Sequence, residues 1–172
     1  MPEASPPRSR LLACAAAALA LLAAPAAFAP APRFVWNASA SAPVGLYLVS
    51  PGAVPALGET VIARLPAEAR ALASARGYVP ASVPLVKRVV AVGGSRACAM
   101  GSRLFVDGRL AAVRLERDWA ERPLPWWREC RRLRLGEVLL LMPQSPKSFD
   151  GRYFGPTPER DIVGTARLLW RG

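Results

Sequence analysis

Leu85-Val86-Lys87-Arg88-Val89-Val90-Ala91-Val92 is an apolar, β-branched run that reads as a strand, and it carries a lysine among aliphatic neighbours. Lys87 and Lys147 are the only lysines of the chain; every other basic residue is arginine. Arginine holds its proton permanently, whereas a lysine stripped of water loses one readily. A lysine inside such a strand is therefore what a chain keeps when it needs a base and not a fixed cation. The chain also contains no histidine. That removes a Ser-His-Asp triad and histidine-bound zinc hydrolysis, and leaves a serine activated by lysine as the simplest route to nucleophilic catalysis.

Outward from this run, residues 45–49, 59–65, 103–106, 109–113, 137–142 and 162–170 have the length and the β-branched or aromatic content of strands. Asp107-Gly108, between two of them, predicts a tight hairpin with positive φ in its turn. Residues 66–77 predict the one soluble helix: a proline opens it, Glu68 lies in its first turn, Arg70 and Arg76 lie toward its end, and Gly77 follows. Residues 116–135 are charged and tryptophan-rich without a period, an irregular excursion closed off by Cys130. With no repeat and no alternating β-α pattern, the expectation is a mainly β, antiparallel domain over residues 34–172, into which a hairpin and excursion are inserted at 95–135.

Ahead of that domain, residues 11–29 carry no charge and follow Arg8 and Arg10. This predicts a membrane-spanning helix with residues 1–10 in the cytoplasm, or else a signal segment. Ala27-Phe28-Ala29 has the small-x-small form of a cleavage site, but Pro30 directly after it hinders cleavage and favours an uncleaved anchor. Residues 30–33 form a stiff spacer. Cys14 ends a Leu-Leu-Ala-Cys sequence that imitates a lipidation site, but it stands before most of the apolar run and reads as an ordinary membrane residue.

Of the 172 residues, 52% are hydrophobic, enough for a proper core. Cys98 and Cys130 are the only cysteines past the apolar segment, and in an exported domain such a pair reads as a disulfide; two separate buried thiols are the alternative. Two thiolates without histidine make no zinc site. The net charge of +11 is spread over scattered arginines that form no helix-turn-helix, zinc finger or aromatic-basic motif. We read it as a solvated surface that favours anionic lipid or an acidic partner, with no nucleic acid expected.

Three segments carry the chemistry: Asn37-Ala38-Ser39-Ala40-Ser41-Ala42-Pro43-Val44-Gly45-Leu46-Tyr47, the run around Lys87 up to Gly93-Gly94, and Ser148-Phe149-Asp150-Gly151-Arg152-Tyr153-Phe154-Gly155. In this order, behind an apolar segment in a histidine-free chain, they resemble the type I signal peptidase family of serine proteases. The closer likeness is to its conjugative-transfer branch, called TraF, which has an Asn-x-Ser/Thr-x-Ser-x-Pro-x-Gly-x-Tyr box. The usual signal peptidase has Met after the serine, where Ala42 stands here; that departure favours the TraF-like branch over general secretory processing.

The resemblance implies a signal-peptidase-type β domain on an N-terminal membrane helix, in the bacterial inner membrane with its catalytic domain facing the periplasm. It makes Ser41 the nucleophile and Lys87 the base, with Ser39 and the Ser41 N–H as the oxyanion hole. Ser148 is the hydroxyl that orients the lysine, and Asp150 and Arg152 brace the site or form a simple surface ion pair. It further implies an endopeptidase that acts on an exported precursor, a conjugative pilin in the TraF branch, with cyclisation of the product as a second outcome. No cofactor and no metal are needed. The expected partners are that precursor and the lipid of the inner membrane. A non-catalytic assembly factor of a conjugation or secretion channel on the same scaffold is the rival reading.

Overall fold

Strand β4, Leu85–Ala91, lies well inside a seven-stranded sheet, with β3 (Thr60–Ala63) on one side and β9 (Glu137–Leu141) on the other. The structure is a computed structural model and describes residues 8–27 and 31–172. The sheet runs β1-β2-β11-β3-β4-β9-β10, with β1 at Phe34–Asn37, β2 at Gly45–Pro51, β10 at Thr157–Pro158 and β11 at Ile162–Arg171. All its pairings are antiparallel. A second antiparallel sheet has the order β7-β6-β5-β8, with β5 at Arg96–Met100, β6 at Arg103–Val106, β7 at Arg109–Val113 and β8 at Cys130–Arg132. The mainly β expectation holds.

The chain divides into two units between Ala31 and Pro32. The first contains helix α1, Arg8–Ala27, which covers residues 11–27 of the expected anchor. Among the described residues no helix is long and apolar enough to cross a membrane. Residues 1–7 of the expected cytoplasmic terminus, Phe28 and Ala29 of the cleavage-like sequence, and Pro30 of the spacer lie outside the described residues.

In the second unit each expected strand is present within a few residues of its predicted bounds, and the 103–113 hairpin turns at Asp107 and Gly108 with φ of 48° and 80°. Helix α2, Ala67–Ala75, starts directly after Pro66. It buries Ala69 and Ala73 with Leu65, against which Tyr78, Leu85, Phe149 and Phe154 pack. Two expectations change. The soluble helix is not single: a one-turn helix α3, Gly151–Phe154, begins where the Asp150 carboxylate accepts the Arg152 N–H at 3.2 Å. The 116–135 excursion is not wholly irregular, because its end pairs with β5 as β8 and places Cys130 opposite Cys98.

The two sheets share one core cluster. Ala97, Leu104, Ala112 and Leu133 of the small sheet and its flank pack with Ala91, Leu139 and Leu141 of the large one, together with Trp127. Cys98 and Cys130 form a disulfide across 32 residues of chain. In the loop-closure model such a link stabilises by about 4 kcal/mol through the unfolded state. Replacing both cysteines by serine should lower the unfolding free energy by about that amount. Thiol titration of the unreduced, denatured protein should find only Cys14 reactive.

Candidate active site

The loop between β1 and β2 is built around a side chain. Asn37 is buried, and its Nδ2 donates to the carbonyls of Ser39 (2.9 Å), Ala42 (3.2 Å) and Pro43 (3.0 Å), while its Oδ1 accepts the Ser39 N–H at 3.2 Å. Tyr47 Oη donates to the Pro43 carbonyl at 2.9 Å. Asn37 pairs with Gly45 in the ladder, and Gly45 has φ of 148° with the Trp170 carbonyl where a Cβ would stand, so only glycine fits there. Held on both sides, the loop presents Ser39 and Ser41 toward β4. Their hydroxyls lie 2.9 Å apart, and the Ser41 N–H donates to Ser39 Oγ at 3.3 Å.

Lys87 sits in β4 opposite Val61 of β3 and is only 3% exposed. Its Nζ donates to Ser148 Oγ at 2.8 Å and makes a longer contact, 3.5 Å, to Ser41 Oγ. The sequence places Leu85, Val86, Val89 and Val90 around this lysine, yet of those four only Leu85 lines the same cleft. Strand alternation sends Val86 to the other face, into a cluster with Tyr47, Val49 and Ile62. Val61, the lysine's partner across the ladder, packs with Val89 in a buried cluster, and Phe149 and Tyr153 from far along the chain line the same cleft as Lys87.

The Asp150-Arg152 pair, expected to brace the site or to form a surface ion pair, is not on the surface. Asp150 and Arg152 are 0% and 3% exposed. Arg152 donates from Nε to Oδ1 at 2.8 Å and from Nη2 to Oδ2 at 3.0 Å, a bidentate pairing. Its remaining N–H groups reach the carbonyls of Met142, Pro146 and Val113, and the Met142 N–H donates to Asp150 Oδ2 at 2.9 Å. The 142–152 loop is thereby stapled to itself and to the small sheet.

Burial pushes the Lys87 ammonium from 10.5 down to about 8; the Asp150 carboxylate partly opposes this and the Arg152 guanidinium adds to it. Lys87 therefore loses its proton at a lower pH than an exposed lysine does.

One wall of the cleft has no counterpart in the sequence reading. The excursion brings Asp118 and Trp119 to the cleft beside Tyr78. Asp118 pairs with Arg122 at 2.8 Å, accepts from Tyr78 Oη at 2.5 Å and lies 3.7 Å from Arg76. Burial opposes ionisation of Asp118, but the hydrogen bonds from Tyr78, Arg122 and the Ala120 N–H outweigh it and hold the carboxyl well below the usual range. The contacts to Tyr78 and Arg76 join an aperiodic stretch to positions about forty residues away, so no local pattern could announce them.

A β scaffold that sets a serine hydroxyl against a buried, readily deprotonated lysine defines a Ser-Lys type of site. The sequence model of the family described as signal peptidase, peptidase S26, matches residues 8–171, and the chain belongs to that family. Two plasmid transfer proteins TraF from Escherichia coli are similar to it, 32% identical over 145 residues and 33% over 148, in both cases across 78% of this chain and 82% of theirs. Among solved structures, a signal peptidase I from Enterococcus faecalis matches 66% of this chain and 97% of its own length, at 17% identity and a TM-score of 0.38.

The lowered Lys87 pKa fixes a stability signature. Between pH 8 and 10.5 the unfolded lysine is protonated and the folded one is not, so stability rises with pH across that window. The unfolding free energy of the wild type minus that of Lys87→Met should increase by about 3 kcal/mol from pH 8 to 10.5, whatever the offset at neutral pH. Denaturant titrations of both proteins at the two pH values give that difference.

Proposed function

We propose that this protein is a serine endopeptidase of conjugative transfer that processes an exported precursor with a Ser41-Lys87 dyad. The carrying observation is the position of Lys87 Nζ, nearly desolvated, between Ser148 Oγ at 2.8 Å and Ser41 Oγ at 3.5 Å at the base of an open cleft. The family membership and the likeness to plasmid transfer proteins support the peptidase class and the conjugation setting. In this reading the precursor is a pilin, residues 11–29 anchor the enzyme in the inner membrane, and the cleft works on the periplasmic side.

The chemistry follows from the atoms present. Neutral Lys87 takes the Ser41 hydroxyl proton as Oγ attacks the scissile carbonyl, and a tetrahedral oxyanion forms. The Ser41 N–H and the Ser39 hydroxyl receive that oxyanion; in the free protein they are bonded to each other, so the substrate oxygen must displace that contact. As the intermediate collapses, the Lys87 ammonium returns the proton to the leaving amine and an acyl ester remains on Ser41. Water, deprotonated by Lys87, hydrolyses the ester. If the substrate's own N-terminal amine attacks instead, the product is a cyclic chain. Ser148 holds the lysine on line throughout, and the Asp150-Arg152 pair holds Ser148.

Cleavage of a propilin by the purified full-length protein tests this. Ser41→Ala and Lys87→Arg should each reduce kcat/KM by about a thousandfold or more, and the double variant should be little worse than either, since the two groups act as one unit. Lys147→Arg should remain within about twofold of the wild type. A folded Lys87→Arg that keeps most of the activity removes the base and moves the assembly-factor reading ahead.

The pH profile is a separate check. Because only neutral Lys87 can act as base, kcat/KM should rise about tenfold per pH unit below the lysine's pKa and level off above about 8. A profile flat from pH 6 to 9 would exclude Lys87 as the titrating group.

A further inference from the structure

Arg114 is a buried cation without an anion. It directly follows β7, its N–H donates to the Ser102 carbonyl at 2.9 Å, and the residue is only 9% exposed. Its guanidinium makes one weak hydrogen bond, from Nη1 to the neighbouring Leu115 carbonyl at 3.5 Å, and Nε is shut away from solvent with no acceptor. Arg152, also buried, shows what such a group ordinarily requires: a bidentate carboxylate and three carbonyls. An unpaired guanidinium taken out of water is costly, so a chain that keeps one calls for an account of what meets it.

A second guanidinium stands close by. Arg114 and Arg128 both lie over the Trp126 ring, with their central carbons 3.7 Å and 4.4 Å from its centroid, so the two carbons are no farther apart than those distances together. The indole stabilises each cation from its face, but it offers no acceptor in the guanidinium plane and does nothing against their mutual repulsion. Among the described residues neither arginine forms an ion pair. Arg128 and Trp126 reach the surface, Trp126 with 39% exposed, and between them in sequence Trp127 is buried in the core shared by both sheets. The cluster is therefore fixed by β7 on one side and by Trp127 on the other before any ligand arrives.

Two guanidiniums sharing one ring match a planar anion with two oxygens, each of which can accept from one arginine. We propose that Arg114, Trp126 and Arg128 form a binding site for a carboxylate side chain, aspartate or glutamate, on an acidic segment of a partner protein. Only a small part of Arg114 is open, which admits a group at the tip of a slender side chain; a phosphodiester, tetrahedral and substituted on two sides, demands more open surface. The exposed part of the indole gives the aliphatic stem of a glutamate an apolar wall. Tryptophan and arginine held rigidly at a surface are also the residue types that dominate protein–protein contacts. None of the three residues lines the Ser41-Lys87 cleft, so the inference stands apart from the peptidase reading.

The test uses full-length Ser41→Ala in neutral-detergent micelles, so that no peptide is cut. The probes are a glycine-serine peptide with two adjacent glutamates and its glutamine counterpart, titrated at physiological salt to screen the general charge of +11. The Trp126 indole N–H resonance, assigned by its loss in Trp126→Phe, reads the site directly. The glutamate peptide should shift that resonance and bind at least about tenfold more tightly than the glutamine peptide. Arg114→Lys, which keeps the charge but loses the fork, and Arg128→Gln should each cut that margin to about twofold or less, whereas Arg109→Gln, at the start of β7, should leave it unchanged. Arg128 is exposed, so its variant decides the matter if Arg114→Lys does not fold. Equal affinity for the two peptides overturns the site, and so does a margin that survives both variants. Short-chain phosphatidylglycerol is the lipid arm: if it shifts the Trp126 resonance through the same two arginines while the glutamate peptide does not, the anion is a headgroup phosphate and the carboxylate assignment falls.

Discussion

The buried pair of Asp150 and Arg152 holds together everything the site depends on. Each carboxylate oxygen and most of the guanidinium hydrogens are used within one knot that ties the 142–152 loop, the start of α3 and the Val113 carbonyl at the end of β7. Two charges taken out of water are tolerable only when their mutual attraction is joined by hydrogen bonds to the remaining donors and acceptors, and here it is. Truncating either partner would strand the other as an uncompensated charge, a loss on the order of 3–5 kcal/mol. The gain from keeping them is geometric. Ser148 lies two residues before Asp150, so a rigid loop means a fixed hydroxyl for Lys87.

Lys87 is tuned by a balance between that pair and its own burial. Desolvation alone favours the neutral amine; the nearby carboxylate favours the ammonium; the guanidinium works against it. The outcome is a lysine with its pKa lowered to about 8, which suits the proton exchange that the proposed mechanism asks of it. A lysine at position 86, on the opposite face, would stand in the buried cluster of Tyr47, Val49 and Ile62, away from Ser41 and Ser148. Strand parity decides between a base and a defect.

The two sheets divide the labour. The large sheet carries the lysine and, in the β1–β2 connection, the serine; the small sheet with its excursion supplies the far side of the cleft. The excursion looks dispensable as sequence, being charged and aperiodic, but one of its acidic residues, Asp118, is shared between Arg122, Arg76 and Tyr78. Such a shared carboxylate ties the loop to the end of α2, Trp127 and Leu133 anchor it in the core, and Arg114 over the Trp126 ring at 3.7 Å adds a further point of attachment.

Much of this was legible from residues alone. A histidine-free chain with one lysine in a β-branched run already points to its candidate base, and Asp107-Gly108, Pro66 and the β-branched segments locate the hairpin, the helix and most strands by rules that act over a few residues. The missed elements are those whose stability is not local. Arg96–Met100 is alanine-rich and becomes a strand only between β6 and β8; Cys130–Arg132 is three residues long and is ordered by its partner and the disulfide; Gly151–Phe154 is a single turn begun by one carboxylate. The sequence likewise determined which residues could form the site, but not what surrounds them. Lys87 meets Ser41 and Ser148 across 46 and 61 residues, and the cleft it lines is shared with Phe149 and Tyr153 from the same distant segment as Ser148. Local chemistry dictates which group can ionise, whereas only the packed chain sets the solvent and the charges that decide whether it does.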